Sequence, residues 1–253
     1  MIRVRIFLLV VIGLFLSQLS VAQAGIVKKA KEAESSGYTV DTVMKHQEDL
    51  PFQKVWKSGK ANLDAYSKIY IAPVNTDYLS ENSWWKSLGL KNVEKDVKEI
   101  ADYTRDTIIN DFQNDPKHRF VVVDEPGEGA LVVEMAITEL VPNKAGFEAA
   151  LTGAAVGVGS LAAGAVSAVG GSLGSKSSIA FEMRLRDGGT KKIIGMVADR
   201  EEEQAALFNV KNYTWYGHAK SIIKSWADQF VKIANRNPGE IISDTPAFTF
   251  KPW

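Results

Sequence analysis

Leu151 to Gly174 is a run of 24 residues without a charge, set between two segments that alternate as β-strands do. It contains seven Gly, six Ala, three Ser, one Thr, four Val and three Leu. Before it, over Ala130 to Val141, Leu131, Val133, Met135 and Ile137 point one way while Glu134 and Thr138 point the other. After it, over Ser178 to Asp187, Ile179, Phe181, Met183 and Leu185 alternate with Glu182, Arg184 and Arg186. The length and lack of charge suit a membrane span. As one helix, however, the run would be about 36 Å long, and strands of one sheet need its two ends close together. The run therefore reads as an excursion from a sheet. Small residues recur four apart, in Gly153 and Gly157, in Ala155, Gly159 and Ala163, and in Ser160, Gly164 and Ala168. Such rows let helices approach closely against lipid or another subunit. A helical hairpin, an element packed on its own domain and a flexible loop are the forms open to it. Absence of charge weighs against a solvated loop.

The other elements follow from periodicity. Lys68 to Val74 is a strand with Ile69 and Ile71 on one face, and Pro73 marks its end or an edge. Val93 to Phe112 is an amphipathic helix with Val93, Val97, Ile100, Thr104, Ile108 and Phe112 on one face, stopped by Asn114-Asp115-Pro116. Arg119 to Val123 reads as a short strand buried on both faces. Asp187-Gly188-Gly189-Thr190 predicts a hairpin turn whose glycines supply positive φ. The return strand is Lys191 to Asp199, with Gly195 marking a bulge. Glu201 to Phe208 reads as a polar connection, its acidic run solvated. A second helix spans about Gly217 to Asn235, with Ile222, Ile223, Trp226, Phe230 and Ile233 inward. The order β-α-β-β-insert-β-β-α predicts an α+β fold, a largely antiparallel sheet with helices packed on one face.

Flanking this domain (63–236, with the insert at 146–176) are three segments of different character. Residues 1–24 have the pattern of a secretory signal: Arg3 and Arg5, the apolar Ile6 to Leu16, and Ala22-Gln23-Ala24 as a cleavage site. Residues 25–62 are a polar lead-in, expected to be loosely held, with a short helix over Asp41 to Gln47 capped by Asp41. Phe52, Val55 and Trp56 are its exceptions and should dock on a core. The tail, 237–253, carries Phe248, Phe250 and Trp253 and should lie against the body. Adjacent Trp84 and Trp85 cannot both face inward on a regular element, which makes their loop a candidate contact surface beside core packing.

Charge and composition exclude several functions. There are 30 Lys+Arg against 30 Asp+Glu, so no broad basic footprint for nucleic acid exists. The absence of cysteine excludes disulfides, thiolate metal sites, Cys nucleophiles and a lipid anchor on cysteine. His46, His118 and His218 lie in separate segments without metal-ligand spacing, and no HExxH, P-loop or GxSxG pattern occurs. Gly157-Val158-Gly159-Ser160-Leu161-Ala162 matches a dinucleotide fingerprint by letter. It lacks the strand before and the single helix after that the fingerprint requires. No catalytic, cofactor-binding or metal-binding residue is assigned. The candidate interaction residues are Gly153, Gly157, Gly159, Gly164, Trp84 and Trp85.

Leu50-Pro51-Phe52-Gln53-Lys54-Val55-Trp56, the stretch Tyr66 to Leu79, the Gly-rich insert before Ile179 to Asp187, and Trp226-Ala227 together resemble the domain-of-unknown-function 3313 family of exported bacterial proteins. Many of those proteins are lipoproteins, a pattern this cysteine-free chain departs from. The resemblance spans about Leu50 to Ala234 and implies no reaction. The order of elements also looks like that of small periplasmic assembly domains, an analogy of fold alone. The expectation is a non-enzymatic periplasmic protein, at most peripheral to the outer membrane, acting through protein contacts or self-assembly. Its partners would be a second copy or an envelope protein, with membrane contact through 151–174. The alternative is a carrier of a lipid or other apolar ligand.

Overall fold

A computed structural model describes residues 31–59, 61–79, 93–141, 177–202 and 217–244. The elements in order are β1 (Lys54–Lys57), β2 (Lys68–Ile71), α1 (Val93–Gln113), β3 (Val121–Val122), β4 (Ala130–Val141), β5 (Ser178–Asp187), β6 (Ile193–Glu202) and α2 (Gly217–Ala234). They build one six-stranded sheet in the order β1-β6-β5-β4-β2-β3. The α+β fold expected from the sequence is present. Pairing is antiparallel for β1·β6, β4·β5 and β5·β6, and parallel where β2 meets β3 and β4. Val141 stands opposite Ser178, so the chain leaves and re-enters the sheet at neighbouring positions, as the strands flanking the insert require. The insert itself lies outside the described residues. Among the described residues no helix is long and apolar enough to cross a membrane.

Alternation in β4 and β5 sends Leu131, Val133, Met135, Ile137, Ile179, Phe181 and Met183 to the face covered by α1 and α2. From α1, Val97, Ile100, Ile108 and Phe112 enter that core; from α2, Ile222, Ile223, Trp226 and Phe230 do. The two helices also pack on one another. Phe181 is wholly buried and sits edge-on to Trp226, with ring centroids 4.6 Å apart. Such a pair adds about 0.5–1.5 kcal/mol beyond area burial. The end of α1 is fixed to the end of α2 through Asp115, which is 2% exposed. Its carboxylate accepts from the Lys117 and Arg119 backbone N–H groups and from Asn235 Nδ2. Burial opposes ionisation there, but these three donors and nearby His118 hold the carboxyl below its ordinary range.

The lead-in is the first difference from expectation. From Lys31 onward it is bound to the sheet, and Lys54–Lys57 forms edge strand β1 against β6. Glu182, 1% exposed on the sheet face away from the helices, accepts from Ser36 N, Thr39 N and Thr39 Oγ1, each at 2.6 Å. Gln53 adds three bonds: its Oε1 accepts from Ala33 N, and its Nε2 donates to the Lys31 and Arg200 carbonyls. Met44 then packs on Met196 and Ala198. A segment whose polar groups are satisfied by buried side chains of the sheet is not free to wander.

Four local expectations also change. Only Asp41–Val43 is helical, as a 3₁₀ turn, because the Asp41 carboxylate is drawn to Lys54 Nζ at 2.7 Å instead of capping. β3 is an edge strand whose Val121 is 63% exposed, not a doubly buried one. In the β5–β6 turn the left-handed residue is Lys191, at φ 62°, and the Asp187 carboxylate accepts from Thr190 N and Oγ1. Gly188 is there for closeness: a Cβ would lie 2.2 Å from the Gly127 carbonyl oxygen. Finally, β6 runs on to Glu202, so Glu201 belongs to the sheet and not to a solvated connection. The bulge expected at Gly195 is present, since Leu185 pairs with Gly195 and Arg186 with Ile193, leaving Ile194 extra.

Candidate functional site

Gly153, Gly157, Gly159, Gly164, Trp84 and Trp85 all lie outside the described residues. Within the described residues, the feature suited to binding is a cavity of about 140 Å³ between the helix-covered sheet face and the last turn of α2. Val55 of β1, Ile69 of β2, Leu131 and Val133 of β4, Met183 and Leu185 of β5 and Val197 of β6 form its floor. Ile108 and Phe112 of α1 and Phe230, Ile233 and Ala234 of α2 form its roof. The bulge at Ile194 and the bare Cα of Gly195 bring β6 into the lining. The sequence built this space from strand residues facing inward and from the terminal turn of α2, where the helix stripe gives way from Phe230 to small Ala234.

Gln47, Lys57 and Arg236 are the long polar side chains of the lining. Lys57 is exposed and the other two are half-buried, which places them at the mouth. Arg236 is held by Asp49, with Nη1 2.8 Å from Oδ2. Among the described residues, this apolar chamber with a polar rim has no nucleophile, acid or base directed inward. What it can do is take an apolar group out of water. A dry cavity of about 150 Å³ accepts a molecule the size of benzene, whereas pockets that enclose whole drug-sized ligands run to about 300–1,000 Å³.

Beside this chamber, β6 carries two acids, the buried Asp199 and the half-buried Glu201. Asp199, 2% exposed, accepts from Gln53 N at 3.0 Å and Trp226 Nε1 at 2.9 Å. Burial, reinforced by Asp244, outweighs those bonds and pushes its carboxyl up to about 7. Burial first, then Asp199 and Asp244, push Glu201 up to about 8. Gln229 donates to Asp244 from Nε2, while its Oε1 is buried without a hydrogen-bond partner. Among the described residues no group of three or more His, Asp or Glu is placed to hold a metal ion.

The opposite sheet face holds a charge lattice. Glu134 pairs with Arg184 and Arg186, and Glu139 with Arg200, which also pairs with Glu202. Tyr38 of the lead-in lies on the Arg184 guanidinium, 4.0 Å from its carbon. Every member has an opposite charge or a ring against it. The lattice binds the lead-in to the sheet.

Sequence reasoning assigned neither the cavity nor the acids. An available signal for the acids was parity: Val197, Asp199 and Glu201 share one strand face, and Val197 faces the core.

No curated protein matches the chain. Two PelC dodecamer structures from Paraburkholderia phytofirmans are similar in chain path. One has a TM-score of 0.39 at 8% identity, covering 72% of this chain and 98% of that one. The other has a TM-score of 0.36 at 8% identity, covering 69% and 94%. Similarity this loose transfers neither assembly nor role. A family model described as "Protein of unknown function" matches residues 34–230, a span that takes in the bound lead-in, the whole sheet and most of α2, and the chain therefore belongs to the DUF3313 family.

Proposed function

We propose that the chain is a non-enzymatic protein, exported to the cell envelope, that works by protein contact and takes one apolar side chain of its partner into the cavity beneath α2. Export rests on the signal pattern of residues 1–24. The observation that carries the contact reading is the size and lining of the cavity, about 140 Å³ bounded by aliphatic and aromatic side chains. That volume suits a single buried anchor residue, the kind that dominates interface energetics. It is too small to carry a lipid away from water. The test is site-specific photo-crosslinking in the native compartment from a photoreactive residue at Gln47. A protein adduct lost when Ala234→Phe fills the cavity is the expected result. Adducts unchanged by the filling, or formed with lipid alone, would overturn the reading.

A further inference from the structure

Taking the cavity as a binding site, the geometry points to the chemistry of what enters it: we propose that the partner's anchor is an aromatic or branched side chain of a polypeptide with a carboxylate beside it, and that Lys57 receives that carboxylate. Lys57 ends β1, paired with Gly195 in the bulged part of β6, and its side chain is exposed at the cavity. Among the described residues it has no ion-pair partner. The other cation of the mouth, Arg236, is neutralised by Asp49, and among the described residues no acidic one belongs to the lining. Among the described residues the mouth therefore carries one uncompensated positive charge over an apolar chamber. A neutral apolar guest would fill the chamber and leave that charge unused. A carboxylate next to the guest's apolar group meets it at the low-dielectric edge, where attraction is stronger than in open water. Gln47, also of the lining, offers an amide for a second hydrogen bond. The cavity volume excludes a long acyl chain as the source of the carboxylate.

The probes are two acetylated, amidated dipeptides, Phe-Asp and Phe-Asn, alike in shape and differing by one charge. Their binding to the full mature chain is followed by NMR titration, with Lys57→Gln and Ala234→Phe as variants. Phe-Asp is expected to bind about two- to fivefold more tightly than Phe-Asn at low salt, the range of an exposed ion pair. High salt should shrink that preference, and Lys57→Gln should remove it, bringing the two peptides to equal affinity. Equal binding of the two peptides, or a preference that survives Lys57→Gln, overturns the role of Lys57 and leaves the cavity reading standing. Binding of neither peptide, or binding indifferent to Ala234→Phe, defeats the cavity reading itself. A long-chain fatty acid that binds one to one and displaces the peptides would overturn a polypeptide source.

Discussion

Asp199 makes the stability of this fold fall as pH rises from about 4 towards neutrality. Burial lifts its carboxyl from the ordinary 3.8 to about 7. Between roughly pH 4 and pH 7 the folded chain therefore keeps a proton that the unfolded chain has lost. Where the folded state binds more protons, stability decreases with pH. Each unit of difference is worth about 1.4 kcal/mol, so about three units amount to on the order of 4 kcal/mol, lost by pH 7 and absent above it. Glu201 acts in the same direction, over a window from its ordinary 4.5 to about 8. Asp115 and Asp187 oppose this at the acid end. Both are held below 3.8 by hydrogen bonds in the fold, and their contribution is lost as pH falls through the folded values. The stability maximum is expected near pH 4–5. In Asp199→Asn the titration is gone, but the amide turns an N–H₂ toward either Gln53 N or Trp226 Nε1. The cost is one buried hydrogen bond, about 1–3 kcal/mol. The variant should be weaker than the parent at pH 5 and equal or stronger at pH 8. Urea unfolding monitored by tryptophan fluorescence at pH 4 to 9 measures both curves. Parallel curves, or a parent whose stability rises from pH 5 to 8, would refute the assignment.

Two further perturbations address the lead-in and the β5–β6 turn. Glu182→Gln leaves Ser36 N or Thr39 N facing an amide N–H₂, and should open residues 36–39 by about 1–3 kcal/mol. Amide exchange at Ser36 and Thr39 should speed roughly tenfold or more while α1 is unaffected. Gly188→Ala forces the backbone away from the Gly127 and Ala130 carbonyl oxygens, at 2.2 and 2.7 Å from the added carbon, for a loss on the order of 2 kcal/mol. Gly59→Ala, which meets nothing within 4 Å, should stay within about 0.5 kcal/mol by the same unfolding assay.

The long elements were legible because one pattern decides each of them. In β4 and β5 alternation holds over many residues, and in α1 and α2 a stripe at helical spacing holds over several turns. β1 was not, since Lys-Val-Trp-Lys has too little pattern of its own and becomes a strand by meeting the free edge of β6. Glu182 occupies an outward position of β5, so it read as solvent-facing; only the return of residues 36–39 over that face buries it. The acids of β6 were obscured by an acidic triplet that looks solvated, although the bulge at Ile194 and the phase of Val197 place Asp199 and Glu201 on the core side. The cavity is further still from sequence. Its walls come from seven strand and helix elements, β1, β2, β4, β5, β6, α1 and α2, and its volume depends on how completely their side chains meet.

The most direct measurement is the uptake of graded apolar solutes by the chain, with benzene, indole and a long-chain fatty acid followed by NMR on the methyl groups of Leu131, Val133, Val197 and Ile233. Benzene and indole should saturate, shift those methyls and fail to do so in Ala234→Phe, while the fatty acid leaves them unmoved. Methyl signals indifferent to the small solutes, or a fatty acid that fills the site, would contradict an anchor cavity for a single side chain.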